Sequence, residues 1–149
     1  MLRIVTLAAL LALPVPARAC PAPSGADLRL HLASLNAQRA QSGQAPLAHA
    51  PDLGGVAQAH ACDMARRNYF SHTSPDGRGM MARAQQAGLA GYCAMGENIA
   101  KGQPDVPSVM ASWMRSPGHR RNILGGDFTH VGFGRAPGAH WVQLFAGRC

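Results

Sequence analysis

The feature that most restricts the fold of this chain is a change of hydrophobic period along its length. From Leu53 to Met64 the apolar residues, joined by His60, recur at intervals of three and four, which predicts an amphipathic helix. After Val131 the interval becomes two, and alternating runs on both sides of Pro137-Gly138 predict an antiparallel hairpin. Because helical patterns precede strand patterns, the sequence favours the α+β class. The strand runs are apolar on both faces, so we expect a small antiparallel sheet covered by helices on both sides.

The start of the chain has the pattern of a secretory signal. Arg3 supplies a positive charge, the stretch 4–13 is apolar, and Ala17-Arg18-Ala19 has small residues at both cleavage positions. A membrane anchor is the alternative, but the apolar run is too short to cross a bilayer. We therefore predict a signal peptide at residues 1–19 and one mature domain at 20–149, secreted or periplasmic, with no transmembrane segment in the mature form.

The predicted mature region contains four cysteines, namely Cys20, Cys62, Cys93 and Cys149. An even number in an exported chain predicts two disulfides and no free thiol. Three pairings are possible, and we favour Cys62–Cys93 with Cys20–Cys149, because the second bridge would tie the two mature ends together. Lipid attachment at Cys20 is the less favoured alternative, since it would leave an odd thiol and the preceding residues fit a lipoprotein signal poorly.

The charge of the chain argues against a nucleic-acid partner. The formal net charge is +7, the basic residues are scattered, and aromatic residues make up 5% of the chain. Nucleic-acid surfaces combine a dense basic patch or stripe with stacking aromatic residues. We therefore predict no nucleic-acid binding, and because no pattern indicates an obligate dimer, we expect a monomer.

Glu97 is the only glutamate in the chain, and we interpret its run, Gly96-Glu97-Asn98, as a turn. His72 and His130 lie in other short polar runs. A carboxylate and histidines from separate segments can form a metal site or an acid/base pair. Two imidazoles and a carboxylate are suitable ligands for zinc or another divalent cation. The alternatives are structural: Glu97 holding the turn, His72 bonded to backbone, and His119 capping a short turn.

Four runs, taken in order, resemble the CAP superfamily of cysteine-rich secretory proteins, antigen 5 and pathogenesis-related 1 proteins, and in particular its single-domain secreted bacterial members. These runs are residues 71–77, 96–100, 116–124 and 129–132. The resemblance extends from about Leu28 to Gly147 and implies an α-β-α sandwich, in agreement with the hydrophobic pattern.

The resemblance also implies a cleft with two histidines and two acidic residues, which in some members bind a divalent cation. His72, Glu97 and His130 match three of these positions and are the implied metal ligands. The fourth, a glutamate, is missing. Ser116 falls near its place, and His119 lies close by and could replace it.

Three functions follow from this comparison. The favoured one is a secreted binding module whose cleft holds a divalent cation such as zinc or a small molecule, with grooves for lipid or peptide. The second is a metal-dependent envelope hydrolase with His72, Glu97 and His130 as its catalytic residues, because the family implies proteolysis in some members. The third is an extracellular interaction domain with a vestigial cleft. A serine hydrolase is less supported, because the chain has no Gly-x-Ser-x-Gly motif.

Overall fold

The computed structural model describes residues 20–149, so the predicted signal peptide lies outside the described residues. Along this part of the chain the elements are α1 (Gly25–Gln41), β1 (Ala48–His49), α2 (Pro51–Arg67), α3 (Met80–Gln86), β2 (Tyr92–Lys101), α4 (Val106–Arg115), α5 (Pro117–Leu124), β3 (His130–Ala136) and β4 (His140–Arg148). None of the helices between residues 20 and 149 combines the length and the apolar character needed to cross a membrane.

The four strands form one sheet in the order β1-β3-β4-β2. Strands β3 and β4 form the predicted hairpin, and β2 pairs antiparallel with the other edge of β4. Strand β1 runs parallel to β3, so the sheet is mixed and not wholly antiparallel as predicted. Two residues are too few to show a period, which is why the sequence did not reveal β1. The Asn36 side chain bonds both backbone groups of Leu47 and so fixes the chain just before this strand.

Helices cover both faces of the sheet, which confirms the predicted sandwich. On β4, Trp141 and Phe145 belong to a core shared with α1, α4 and α5. Their neighbours Val142 and Leu144 belong to a second core, shared with α2. Successive strand residues point to opposite faces, so a strand buried on both sides is apolar at most positions. The mainly apolar run of β4 therefore follows from the layer order, and the buried Gln143 within it accepts a hydrogen bond from Asn98.

Two glycines of β3 allow α2 to lie very close to the sheet. A Cβ atom on Gly132 would be 2.2 Å from the backbone nitrogen of Gly54. A Cβ atom on Gly134 would be 2.5 Å from the carbonyl carbon of Ala57. These positions must lack a side chain because the backbone of the helix occupies the space. The alternation of large residues and glycine in β3 thus makes a shallow groove for α2.

The described residues form two disulfides, the predicted number, and contain no free cysteine. The favoured pairing was wrong. The bridges are Cys20–Cys62 and Cys93–Cys149, with Cα atoms 5.9 Å and 5.0 Å apart. Strands β2 and β4 are neighbours, and their pairing places the start of β2 beside the end of β4. Cys20 is therefore bonded to α2 and Cys149 to β2, and these two cysteines are not bonded to each other.

One further expectation, the turn at Gly96, needs correction. The predicted turn at Gly96 is part of the continuous strand β2. Glycine is needed there because a Cβ would lie 2.9 Å from the ring of Phe128 and 3.2 Å from Oδ1 of Asn122. Close to the end of α4 at Arg115, Pro117 begins α5. Proline suits the first position of a helix because its fixed φ is already helical and its missing N–H would have no helical partner.

We expect His31 to make the fold less stable in acid. The imidazole is 2% exposed and stacks on Phe133 at 4.3 Å, and burial lowers its pKa from 6.5 to about 4, against the opposing effect of Asp27 and with a smaller contribution from Arg135. Between these two pH values the unfolded chain binds a proton that the folded chain does not. Stability therefore falls as the pH drops from 6.5 to 4, by at most about 3 kcal/mol.

Urea unfolding of the wild type and of His31→Leu, measured between pH 4.5 and 7.5, checks this expectation. The variant should show a flatter dependence of the free energy of unfolding on pH. Some slope should remain, because burial also lowers the pKa of His60 and of His119. Parallel profiles for the two proteins would contradict the assignment to His31.

Candidate functional site

Glu97 lies in the middle of β2 with its side chain on the α2 face of the sheet. It pairs across the ladder with Leu144 of the α2 core, and directly opposed residues share a face. Only 4% of the Glu97 side chain is exposed. Arg83 Nη2 donates to its Oε2 at 2.5 Å, and its Oε1 lies 2.8 Å from Nδ1 of His72. A second imidazole, that of His60, has Nε2 4.0 Å from the same Oε1.

Arg83 of α3 is the cation that balances this buried carboxylate. Its Nη1 donates to the backbone oxygens of His72 and Arg78, at 2.8 Å and 3.0 Å. One guanidinium therefore joins α3, β2 and the loop that carries His72. A buried carboxylate without such a partner would be costly, so this contact is what allows Glu97 to be charged at this depth. The sequence had no signal for the role of Arg83, which lies in a short helix among polar residues.

The contact with Glu97 decides which nitrogen of His72 carries the proton. An ionised carboxylate can only accept a hydrogen bond, so Nδ1 of the neutral ring is the N–H and Nε2 is the acceptor. The side chain of His72 is 55% exposed. Its basic nitrogen is therefore available on an accessible ring whose orientation a buried acid fixes.

His119 of α5 lines the same cavity as His72. This cavity has a volume of about 480 Å³ and is bounded by Phe70, Ser71, His72, Ile99, Ala100, Lys101, Gln103, Ser112, Trp113 and His119. Partial burial lowers the pKa of His119, and the nearby His72 lowers it further. The neutral imidazole, which can act as a ligand or as a base, is thus favoured near pH 7.

Two buried asparagines hold α5 against the sheet and so position His119. Asn98 is fully buried, and its Nδ2 donates to the backbone oxygen of His119 and to Oε1 of Gln143, both at 3.1 Å. Asn122 Nδ2 donates to Oδ1 of Asn98 at 2.8 Å and to the backbone oxygen of Glu97 at 3.2 Å. These contacts explain why asparagine occurs in the runs 96–100 and 116–124. Asn98 therefore holds a helix against the sheet.

His130 lies on β3, two strands from the strand that carries Glu97, and its proximity to His72 stays a prediction. It begins β3 and is opposite Ala146 of β4, which in turn is opposite Met95 of β2. Two strand spacings, roughly 10 Å, therefore separate the His130 backbone from that of β2. Its ring instead lies 6.2 Å from that of Tyr92, and Nδ1 is 2.8 Å from the Thr129 hydroxyl.

Ser116 and His60 have structural roles. Ser116 is the residue before α5, and its backbone oxygen accepts from the Arg120 N–H at the start of that helix. His60 is 1% exposed and its Nε2 lies 3.1 Å from the carbonyl of Ser71, so it is a core histidine that also touches the site. Within residues 20–149, no three His, Cys, Asp or Glu side chains are arranged to hold a metal ion. The predicted set of His72, Glu97 and His130 is therefore not a preformed triad.

Comparison with known proteins identifies a family and relatives of the same fold. The family model described as "CAP: Cysteine-rich secretory protein family" matches residues 32–146. The uncharacterized protein YkwD of Bacillus subtilis is 41% identical over 114 residues, which is 76% of this chain but 44% of that protein. The uncharacterized membrane protein YlbC of the same organism is 36% identical over 99 residues and is covered over 28% of its length. The chain thus spans less than half of these curated relatives.

Solved structures match as well. An extracellular protein containing an SCP domain, from Bacillus anthracis, superimposes with a TM-score of 0.76 at 31% identity, covering 80% of this chain and 40% of that one. An outer surface protein from Borrelia burgdorferi gives 0.78 at 20% identity, covering 88% of this chain and 100% of that one. The second likeness concerns the fold alone.

Proposed function

Because this chain belongs to the cysteine-rich secretory protein (CAP) family, we propose that it is an exported binding module whose cleft holds a divalent cation or a small ligand. The observation that carries the proposal is the 2.8 Å contact between His72 Nδ1 and Glu97 Oε1. This contact orients an exposed imidazole and leaves its Nε2 as the binding atom. His119, which lines the same cavity, supplies the second imidazole.

The donor chemistry of the cleft suits a zinc-like ion bound by two neutral imidazoles and water. Both carboxylate oxygens of Glu97 are already engaged, one by His72 and one by Arg83. Glu97 therefore does not bind the ion itself but fixes the orientation and the tautomer of the His72 ring. This assigns the metal to His72 and His119, and it replaces His130 in the set that the sequence implied. A bound cation would add a Lewis-acidic position for an oxygen atom of a small ligand.

Export is supported by two observations of different kinds. Disulfides persist in oxidising compartments and are rare in the cytosol, and this chain has two, which hold its first described residue and its last. The related SCP-domain protein of Bacillus anthracis is described as extracellular. Secretion or a periplasmic location is the proposal that fits both.

Calorimetric titration of the mature protein, residues 20–149, with zinc chloride tests the cleft. We expect saturable binding near one ion per chain, lost in His72→Ala and in His119→Ala. Glu97→Gln should bind more weakly, because its neutral amide no longer stabilises the Nδ1 tautomer of His72 as a carboxylate does. His130→Ala is the matched control and should bind like the wild type, since His130 lies about two strands away.

The possible results separate the candidate functions. Loss of binding in His130→Ala, with retention in His119→Ala, would support the ligand set implied by the sequence. Absence of saturable binding in the wild type would refute the metal site and direct the search to peptides, lipids and protein partners. Hydrolysis of an unfolded protein substrate that stops on chelation and in His72→Ala would favour the hydrolase over the binding module.

A further inference from the structure

A second cavity, with no lining residue in common with the His72 cleft, lies between α2 and α3. Its volume is about 380 Å³, within the range of small-molecule sites. The lining residues are Asp52, Gly55, Val56, Ala59, His60, Asp63, Arg66, Ser74, Arg78, Arg83, Gln86 and Ala87. The family comparison assigns no role to it. Its lining combines a small apolar wall with five charged side chains. Which of these side chains already have hydrogen-bond or ion-pair partners indicates what could bind.

The acidic groups of this cavity already have partners. One oxygen of Asp63 accepts from the Tyr69 hydroxyl at 2.7 Å and from Arg67 at 3.4 Å. Asp52 accepts from the backbone N–H of Leu53 at 2.7 Å and lies 3.2 Å from the hydroxyl of Tyr92. A cationic ligand would have to compete with these contacts. The acidic residues therefore do not make this a site for a cation.

The hydrogen-bond donors that line the cavity, in contrast, do not all have acceptors. Arg83 is 9% exposed, and its Nε–H has no acceptor among the described residues, although both of its terminal nitrogens are bonded. Arg66 has a side chain that is 62% exposed, and its contact with Asp63 is long, at 3.9 Å. Arg78 at the rim is held in place by Asp76 and Gln86. A buried donor without an acceptor is unfavourable, so a ligand that brings an acceptor relieves a defect of the free protein.

Because the acidic groups of this cavity have hydrogen-bond partners whereas its arginine donors are only partly bonded, we infer that the cavity between α2 and α3 binds a small organic carboxylate. The carboxylate accepts from Arg83 Nε and from the guanidinium of Arg66, which can form the short, charge-assisted contacts that carboxylates make with arginine. Val56, Ala59 and Ala87 supply the wall against which a short apolar chain packs. This apolar wall favours an organic acid over inorganic phosphate.

Side-chain NMR of the mature protein tests this inference with hexanoate as the probe. In ¹⁵N-labelled protein the Arg83 Nε–H signal should shift saturably on addition of hexanoate, together with backbone amides of α2 and α3. Hexylammonium has the same chain and the opposite charge, and it should leave that signal unchanged at equal concentration. Phosphate should shift it less than hexanoate, because phosphate leaves the apolar wall unfilled.

Two phenylalanine variants locate the binding. Ala59 is an exposed residue of α2 at the cavity, so Ala59→Phe should fill the space and weaken hexanoate binding by at least about tenfold. Ala111→Phe, at an exposed position of α4, adds the same ring elsewhere and should bind hexanoate like the wild type. Ala59→Phe should also bind zinc normally, so the two proposals fail or survive separately. The inference is overturned if the Arg83 signal does not respond, if hexylammonium binds equally well, or if Ala59→Phe has no effect.

Discussion

Replacing Arg83 by methionine should lower the free energy of unfolding by about 3 to 5 kcal/mol, because it leaves a buried carboxylate without its cation. Glu97 has a side chain that is 4% exposed, and the lost contact is the 2.5 Å bond to Oε2. The same substitution also removes the two bonds that Nη1 donates to the loop around His72. Urea unfolding at pH 7 measures the effect. Removing an exposed arginine provides the control: Arg67→Met should cost less than about 1 kcal/mol.

A double variant tests the mechanism behind this loss. The double variant Arg83→Met/Glu97→Gln carries no buried charge and should be more stable at pH 7 than Arg83→Met alone. If the double variant is no better than the single one, the cost came from lost packing and not from the uncompensated carboxylate.

Replacing Gly134 by alanine should destabilise the fold by about 3 kcal/mol or more, which is the upper part of the range for overpacked cores. The added Cβ would lie 2.5 Å from the carbonyl carbon and oxygen of Ala57. These are backbone atoms of α2, so no side-chain rotation can relieve the overlap, and the helix must move away from β3. Thermal and urea unfolding of Gly134→Ala, beside the wild type, give the measurement.

A glycine of the same helix provides the control for this substitution. Gly55 is exposed on α2, and a Cβ there would meet nothing within 4 Å. Gly55→Ala should therefore stabilise the protein by roughly 0.5 to 1 kcal/mol, the usual difference between the two residues inside a helix. A Gly134→Ala protein as stable as the wild type would mean that α2 does not lie as close to β3 as described.

Much of the layer structure was predictable because its causes are local. The helical period of Leu53 to Met64 indicates one buried face, and α2 buries it against the sheet. The apolar runs of β3 and β4 indicated strands covered on both sides. The number of disulfides followed from an even count of cysteines in an exported chain. Strand β1 was missed because two residues carry no period, and α5 was missed because Pro117 ends one helix and also starts the next.

The candidate site was predictable only in part. The sequence singled out Glu97 and His72, and the structure places them 2.8 Å apart. It also offered His130 as the third member of the set and His119 as a replacement for the missing fourth, acidic residue, without a means to decide whether either contacts the same ligand. It had no signal for Arg83, since an arginine among polar residues of a short helix is normally solvated.

The sequence by itself determined the fold class, the presence of helices on both faces and the residue types from which a cleft could be built. Each of these depends on a period or on a composition, and both can be read from neighbouring residues. Tertiary structure alone decided the partners: Cys93 with Cys149, Arg83 with Glu97, and His119 with His72 in one cavity. These contacts depend on strand register and on the docking of α3 and α5 against β2. A shift of one residue in that register would turn Glu97 to the opposite face of the sheet.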